Sequence, residues 1–228
     1  MDEANARIRH PLRAVLFDFD GTLVDSYPAI TASVNHVRAS YGLPPLPVDE
    51  VRRHVGRGPG YLLTHTVPGG NLERDEARYR AHHPSVLRSG THLLPGASEI
   101  IPTLKTAGFL LGICSNKPVA FTRQLLDYFH LTEFIDVVLG PEDVPNPKPA
   151  PDMLAAALAR LGVRPEEALY VGDMTVDIQS GRAAGVRVWV VATGSDDAAT
   201  LTAARPDRAL PDLFELPSAL GIPLTPSA

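Results

Sequence analysis

The chain has 228 residues, with 21 Lys and Arg against 26 Asp and Glu for a formal net charge of −5, and it contains one cysteine. That length can bury one large core plus a small accessory unit, and the scattered basic residues in a net acidic chain provide no field for nucleic acid. Cys114 alone excludes an internal disulfide and reads as a core residue, no stretch is apolar for long enough to span a bilayer, and the polar start at residues 1–13 lacks a signal-peptide core, so a cytoplasmic, soluble monomer or homodimer is expected.

The first element is Ala14-Val15-Leu16-Phe17, a buried strand that runs directly into Asp18, Asp20, Gly21 and Thr22. The stretch from there to Ser115 is far longer than the roughly thirty residues of a direct strand-helix-strand crossover, so residues 26–90 are expected to form an inserted unit. Ser26 is placed as the cap of a helix over residues 27–41, where Ile30, Val34 and Val37 recur at helical spacing and Gly42, Pro44 and Pro45 end it. Residues 48–55 and 72–87 continue the helical pattern. Between them Gly56-Arg57-Gly58-Pro59-Gly60 reads as a flexible glycine turn able to lower Arg57, or the Tyr61 ring, over a site. The planar fork of Arg57 suits a second anion on a substrate, such as a carboxylate.

His54, His65, His82, His83 and His92 lie in or beside this unit. Adjacent helical residues face different directions, so His82 and His83 are expected to diverge and to be surface or hinge residues, while His54 is nearest the glycine turn. Segments near residues 25–27 and 89–95 read as two hinge strands.

From residue 97 onward helix and strand alternate: helices over 97–107, 119–129, 151–161 and 177–184, strands over 109–114, 136–139, 168–171 and 186–191, and a short edge strand at 207–210. Residues 223–228 read as a frayed end. Trp189, within a valine-rich strand, is expected in the core or at a sheet edge. The sum is an α/β fold, a doubly wound parallel sheet with a Rossmann-like core over residues 1–25 and 91–228 and a small α-helical cap over 26–90.

Four strand ends carry chemistry: Asp18 and Asp20; Ser115-Asn116-Lys117; Lys148 in a Pro-rich loop; and Gly172-Asp173 with Asp177. In an open parallel sheet these ends share one edge, where ligands bind. Asp18, Asp20, Asp173 and Asp177 would then crowd like charges together, which a divalent cation resolves. With oxygen donors and no His or Cys in these loops, the set suits Mg2+. Lys148 adds a second positive centre, and the Ser115 hydroxyl and nearby amides can bind a phosphate.

These four motifs, in this order, resemble the haloacid dehalogenase superfamily, and Leu94-Pro95-Gly96, Cys114-Ser115-Asn116-Lys117-Pro118, Asn146-Pro147-Lys148-Pro149 and Val171-Gly172-Asp173 resemble its phosphoglycolate phosphatase group. Met174 departs from the group, which often has a serine there. The resemblance implies that Asp18 is the nucleophile and that Asp20 is acid then base, with its carbonyl helping Asp18 and Asp173 hold the metal. Ser115 and Lys148 would steady the phosphoryl oxygens, and Asp177 would orient Lys148 or a metal-bound water. Thr22, Ser115, Asn116, Lys148 and Arg57 form the implied substrate-binding set.

An acid at Asp20 disfavours the halide-displacing and phosphonate-cleaving branches. The expectation is a magnesium-dependent phosphatase acting on a small phosphorylated metabolite, phosphoglycolate first, with a sugar phosphomutase or a silent binding protein of the same fold as the rivals.

Overall fold

The computed structural model describes residues 11–222. The first ten residues and the end from residue 223, including the expected frayed tail, lie outside them. Eight strands and ten α-helices make up the described chain, alternating from β3 onward: β1 (Ala14–Phe17), β2 (Val24–Asp25), α1 (Tyr27–Ala39), α2 (Val48–Arg52), α3 (Gly58–Thr66), α4 (Leu72–Val86), β3 (His92–Leu93), α5 (Ala97–Thr106), β4 (Leu110–Cys114), α6 (Val119–Tyr128), β5 (Val137–Leu139), α7 (Asp152–Leu161), β6 (Ala168–Gly172), α8 (Thr175–Ala183), β7 (Arg187–Val191), α9 (Ala198–Ala203), β8 (Arg208–Leu210) and α10 (Glu215–Ala219).

Six strands form one parallel sheet in the order β5-β4-β1-β6-β7-β8. Because side chains alternate across a strand, β1 serves both faces. Val15 and Phe17 join Ile100, Ile101, Leu104 and Leu125 on one side, while Ala14 and Leu16 join Met153, Leu154, Tyr170 and Ile178 on the other. A strand buried on both faces has to be apolar at every position, which is why Ala14 to Phe17 shows no polar alternation. The expected doubly wound sheet is present. Connections leave β1 toward β4 and β5 and then return to β6, so the sheet reverses direction beside β1, and the carboxyl ends of β1, β4 and β6 open onto one crevice.

Helices α1 to α4 bury an apolar cluster of their own, with Tyr27, Ile30, Val34, Leu62, Leu63 and Tyr79 among its members. They form the helical cap above the crevice. Its two links to the sheet, β2 and β3, pair antiparallel through Val24–Leu93 and Asp25–His92. No helix among the described residues is long and apolar enough to cross a membrane.

Several local expectations are corrected. The glycine-rich segment is largely the start of α3, with Pro59 in its first turn, where the missing N–H removes no helical bond. Ser26 precedes α1 but its side chain makes no cap bond; the hydroxyl donates to Asp20 Oδ1 at 2.5 Å instead. Helix α8 begins at Thr175, ahead of Asp177, and α9 and α10 have no counterpart among the expected elements. The signal for α9 was Asp197, whose carboxylate accepts the Thr200 N–H at 2.8 Å.

Candidate active site

Asp18 emerges at the end of β1, and its amide donates to the Val171 carbonyl at 2.9 Å, which ties it to the end of β6. Its carboxylate is buried, and Oδ1 lies 2.9 Å from Lys148 Nζ. That contact is close in distance but poorly aligned, so Asp18 Oδ1 is a buried oxygen without a hydrogen-bond donor among the described residues. Lys148 is aimed by its other partners: Nζ donates to Asp177 Oδ1 at 2.7 Å and to the Tyr170 hydroxyl at 2.8 Å. Burial works against the Lys148 ammonium, but Asp177 and Asp18 together hold its pKa above the ordinary lysine value.

Asp177, the third residue of α8, has both oxygens engaged. Oδ1 accepts from Lys148 and Tyr170, and Oδ2 accepts the amides of Asp173 and Met174 at 3.2 and 3.0 Å. Asp173 follows β6; its Oδ1 accepts from Thr22 Oγ1 at 2.8 Å and its Oδ2 from the Ser195 amide at 3.1 Å. Between these chain segments lies Gly21, at φ 88°, where a Cβ would stand 2.5 Å from both Asp173 Oδ2 and the Tyr27 hydroxyl. Only glycine suits both that backbone conformation and that approach.

The expected acidic quartet is a trio and a separate carboxylate. Asp18, Asp173 and Asp177 offer oxygens within 4.8 Å of one another, all buried. Asp20 points its carboxylate toward the cap, where Oδ1 meets Ser26 Oγ and Lys117 Nζ at 2.5 and 3.0 Å, and Oδ2 lies 3.2 Å from Lys117. The residue two beyond Asp18 is past the strand end, and its ammonium partner draws it away from the other carboxylates. Lys117, not assigned a role from sequence, is thus part of the site.

The trio is electrostatically incomplete. Burial, then Asp18 and Asp177, push the Asp173 carboxyl well above the usual carboxylate range, and burial also raises Asp177 against the pull of Lys148. An all-oxygen donor set under this strain fits a hard divalent cation. Each oxygen of Asp177 already accepts two hydrogen bonds whereas each oxygen of Asp173 accepts one and Asp18 Oδ1 none, so Asp18 and Asp173 are the better placed side chains to hold one.

The remaining expected residues take varied places. Ser115, at the end of β4, is buried and lines the crevice with Asp18, Asp20 and Lys117. The Asn116 amide clasps protein instead of facing open space: Nδ2 donates to the carbonyls of Gly56 and Lys148, and Oδ1 accepts the Lys148 amide. The Thr22 hydroxyl is turned to Asp173. Arg57 is exposed, with its guanidinium 5.2 Å from the centre of the Tyr61 ring, and neither residue lines the crevice. His54 stacks on His65 away from the crevice lining. His83 corrects the surface reading, because it is fully buried, and it does not diverge from His82: both Nδ1 atoms meet the Ser33 hydroxyl, at 2.9 and 3.2 Å. Trp189 packs in the core beneath the Arg208 guanidinium. Burial pushes the Cys114 thiol up to about 12, leaving an inert core side chain.

Cap and sheet meet at defined contacts. Met174 lies against Gly56, where an added Cβ would overlap its sulfur, so this departure from the resembling group sits at the seam. Arg52, on α2, donates to the carbonyls of Thr193 and Gly194 at 2.6–2.9 Å and stacks 4.6 Å from the Tyr27 ring centre.

Residues 15–191 match the family described as haloacid dehalogenase-like hydrolase. The chain belongs to that family. A phosphoglycolate phosphatase of Rhodospirillum rubrum is 37% identical over 193 residues, covering 80% of each chain, and one from Escherichia coli K12 is 30% identical over 236 residues, covering 93% of this chain and 94% of its own. Among solved structures, a predicted phosphoglycolate phosphatase from Haemophilus somnus superposes with a TM-score of 0.86 at 24% identity, covering 91% of this chain and 97% of the other. A Bacteroides fragilis protein described as a haloacid dehalogenase-like hydrolase gives 0.84 at 31% identity, covering 90% and 99%. The first of these supports the fold alone. The resemblance drawn from the four motifs is therefore borne out, together with its enzyme class: this haloacid dehalogenase-like hydrolase is a phosphoric monoester hydrolase similar to phosphoglycolate phosphatases.

Proposed function

We propose that the enzyme hydrolyses a small phosphorylated metabolite through a phosphorylated Asp18, with phosphoglycolate the first substrate to test. The observation that carries this reading is the position of Asp18: a buried carboxylate at a strand end, 2.9 Å from the Lys148 ammonium, with Asp20 held separately by Lys117 and Ser26. A nucleophile and an acid-base group need different surroundings, and these two aspartates have them.

In the forward step a carboxylate oxygen of Asp18 bonds to phosphorus as the phosphorus–ester oxygen bond breaks, and Asp20 gives its proton to the departing alcohol. In the second step Asp20 takes a proton from water, the water oxygen bonds to phosphorus, and the bond to Asp18 breaks to leave inorganic phosphate and the original carboxylate. Lys148 and Ser115 face the negative charge of the phosphoryl oxygens. Asp177 and Tyr170 keep Lys148 in place, and Thr22 orients Asp173. Mg2+ would be held by the Asp18 and Asp173 carboxylates and the Asp20 carbonyl, supplying positive charge to the phosphoryl group when bound.

Phosphoglycolate phosphatase relatives covering most of this chain support the choice of first substrate. The test is phosphate release from phosphoglycolate, sugar phosphates, nucleotides and pyrophosphate, with Mg2+ and with chelator. Chelator-sensitive release is expected. Isomer formation primed by a bisphosphate, with little release, would favour a mutase, and no turnover of any ester would leave a binding protein.

A further inference from the structure

The crevice above Asp18 and Asp20 reaches Ile30, Val55, Leu62 and Tyr79 of the cap and Phe121 of α6, and the whole space from the two carboxylates to these side chains is about 40 Å³. These five side chains make that end largely apolar, while Asn116 and Lys117 share the lining. His83 lines the same cavity, is fully buried, and leaves its Nε2 with no hydrogen-bond partner among the described residues. Buried polar atoms are nearly always paired, so an unpaired one in a cavity wall points to a missing ligand atom.

The ring is held firmly enough to act as a reader. Its Nδ1 meets Ser33 Oγ at 2.9 Å, it stacks on Tyr79 with centroids 4.9 Å apart and 19° between planes, and Phe121 meets it edge-on at 4.8 Å. The Ser33 hydroxyl has one proton and two imidazole neighbours. With Ser33 donating along the shorter contact, to His83, the proton of the neutral His83 ring would stand on Nε2 and that atom would be a donor, an arrangement the labelled-histidine measurement below reads directly. Burial, then Lys117 and His82, push the His83 pKa down to about 3, consistent with a neutral ring.

We infer that His83 is a specificity-determining residue whose Nε2–H donates to a carboxylate oxygen on the leaving group of the ester. The inference rests on the proposed phosphatase reading and assigns the other half of the substrate. Arg57, the anion partner expected from sequence, is outside the crevice, so His83 takes that place, with the Lys117 ammonium in the same lining.

Two measurements decide it. In Asp18→Asn protein with 15N-labelled histidine, the His83 Nε2–H resonance is expected to shift on adding phosphoglycolate and to stay in place on adding ethyl phosphate, which lacks the carboxylate. In otherwise unaltered enzyme, His83→Phe keeps an aromatic ring against Tyr79 and Phe121, and it is expected to lower kcat/KM for phosphoglycolate by about tenfold or more beyond its effect on ethyl phosphate. An unmoved resonance overturns the inference, and so does an equal loss on both esters. Failure of wild-type enzyme to release phosphate from any ester would instead count against the phosphatase reading, and the resonance would still decide the role of His83.

Discussion

Lys117 Nζ stands 3.0 Å from Asp20 Oδ1, joining the loop after β4 to the loop after β1, with both side chains at least nine-tenths buried. Removing one member of such a pair leaves a buried charge uncompensated, so Lys117→Met is expected to lower unfolding free energy by about 3–5 kcal/mol. Pairing it with Asp20→Asn should restore part of that loss. Urea titrations of the two single variants and the double variant measure the coupling; strictly additive losses would mean that the contact carries no energy.

His83 also sets a pH dependence of stability. Its folded pKa of about 3 lies below the ordinary value of 6.5, so between those values the unfolded chain binds the proton and the folded chain does not. The contribution is therefore complete above pH 6.5 and is lost as pH falls toward 3. Between pH 7.5 and pH 5 it should cost about 2 kcal/mol, from the 1.4 kcal/mol carried by each pH unit below 6.5. His83→Phe should flatten the slope over this window in urea melts by that amount, and an unchanged slope would contradict the buried neutral ring.

Arg52 fastens the cap to the loop beside Asp173, through the carbonyls of Thr193 and Gly194 and the Tyr27 ring. Loss of charge-assisted bonds worth about 1.5–3 kcal/mol should shift the cap toward an open state. Arg52→Ala is expected to speed amide exchange around Gly56 and Leu62 by about tenfold or more, while the β1 and β6 amides keep their protection. Equal acceleration in the strands would indicate global unfolding in place of cap opening.

Gly56 has φ 107° and no space for a Cβ against Met174. Gly56→Ala should lower kcat/KM by preventing the cap from seating, and Met174→Ala in the same protein should recover the steric part and leave the backbone strain. Steady-state kinetics of the single and double variants test this, since no recovery would place the whole defect in the backbone.

What could be read in advance divides along the boundary between strands and cap. Asp18, Asp173 and Lys148 stand at ends of apolar runs or in loops whose position follows from an open parallel sheet, so the sequence already marks where they converge. Lys117 was visible as a residue but not as the partner of Asp20, because that pairing needs the loops after β1 and β4 placed side by side. His83 and Arg52 depend on how helices pack on the sheet, and a helical stripe of residues does not reveal which ring nitrogen is left without a partner. In the glycine-rich cap segment, the turn signal of Gly56 to Gly60 outweighed the signal of Pro59, which suits the first turn of a helix. The gathering of four carboxylates about one cation fails for a physical reason: an ammonium from the neighbouring loop, Lys117, holds the Asp20 carboxylate apart from the other three.

The central claim is that Asp18 itself carries the phosphoryl group. Rapid acid quench of the enzyme during turnover, followed by borohydride reduction and mass spectrometry of the peptide containing residue 18, tests it most directly. The account predicts a phosphorylated, borohydride-reducible Asp18 in the wild type with Mg2+, and no such product in Asp18→Asn or with chelator. Phosphate release by Asp18→Asn at the wild-type rate, or a phosphoryl group found on another residue, would contradict it.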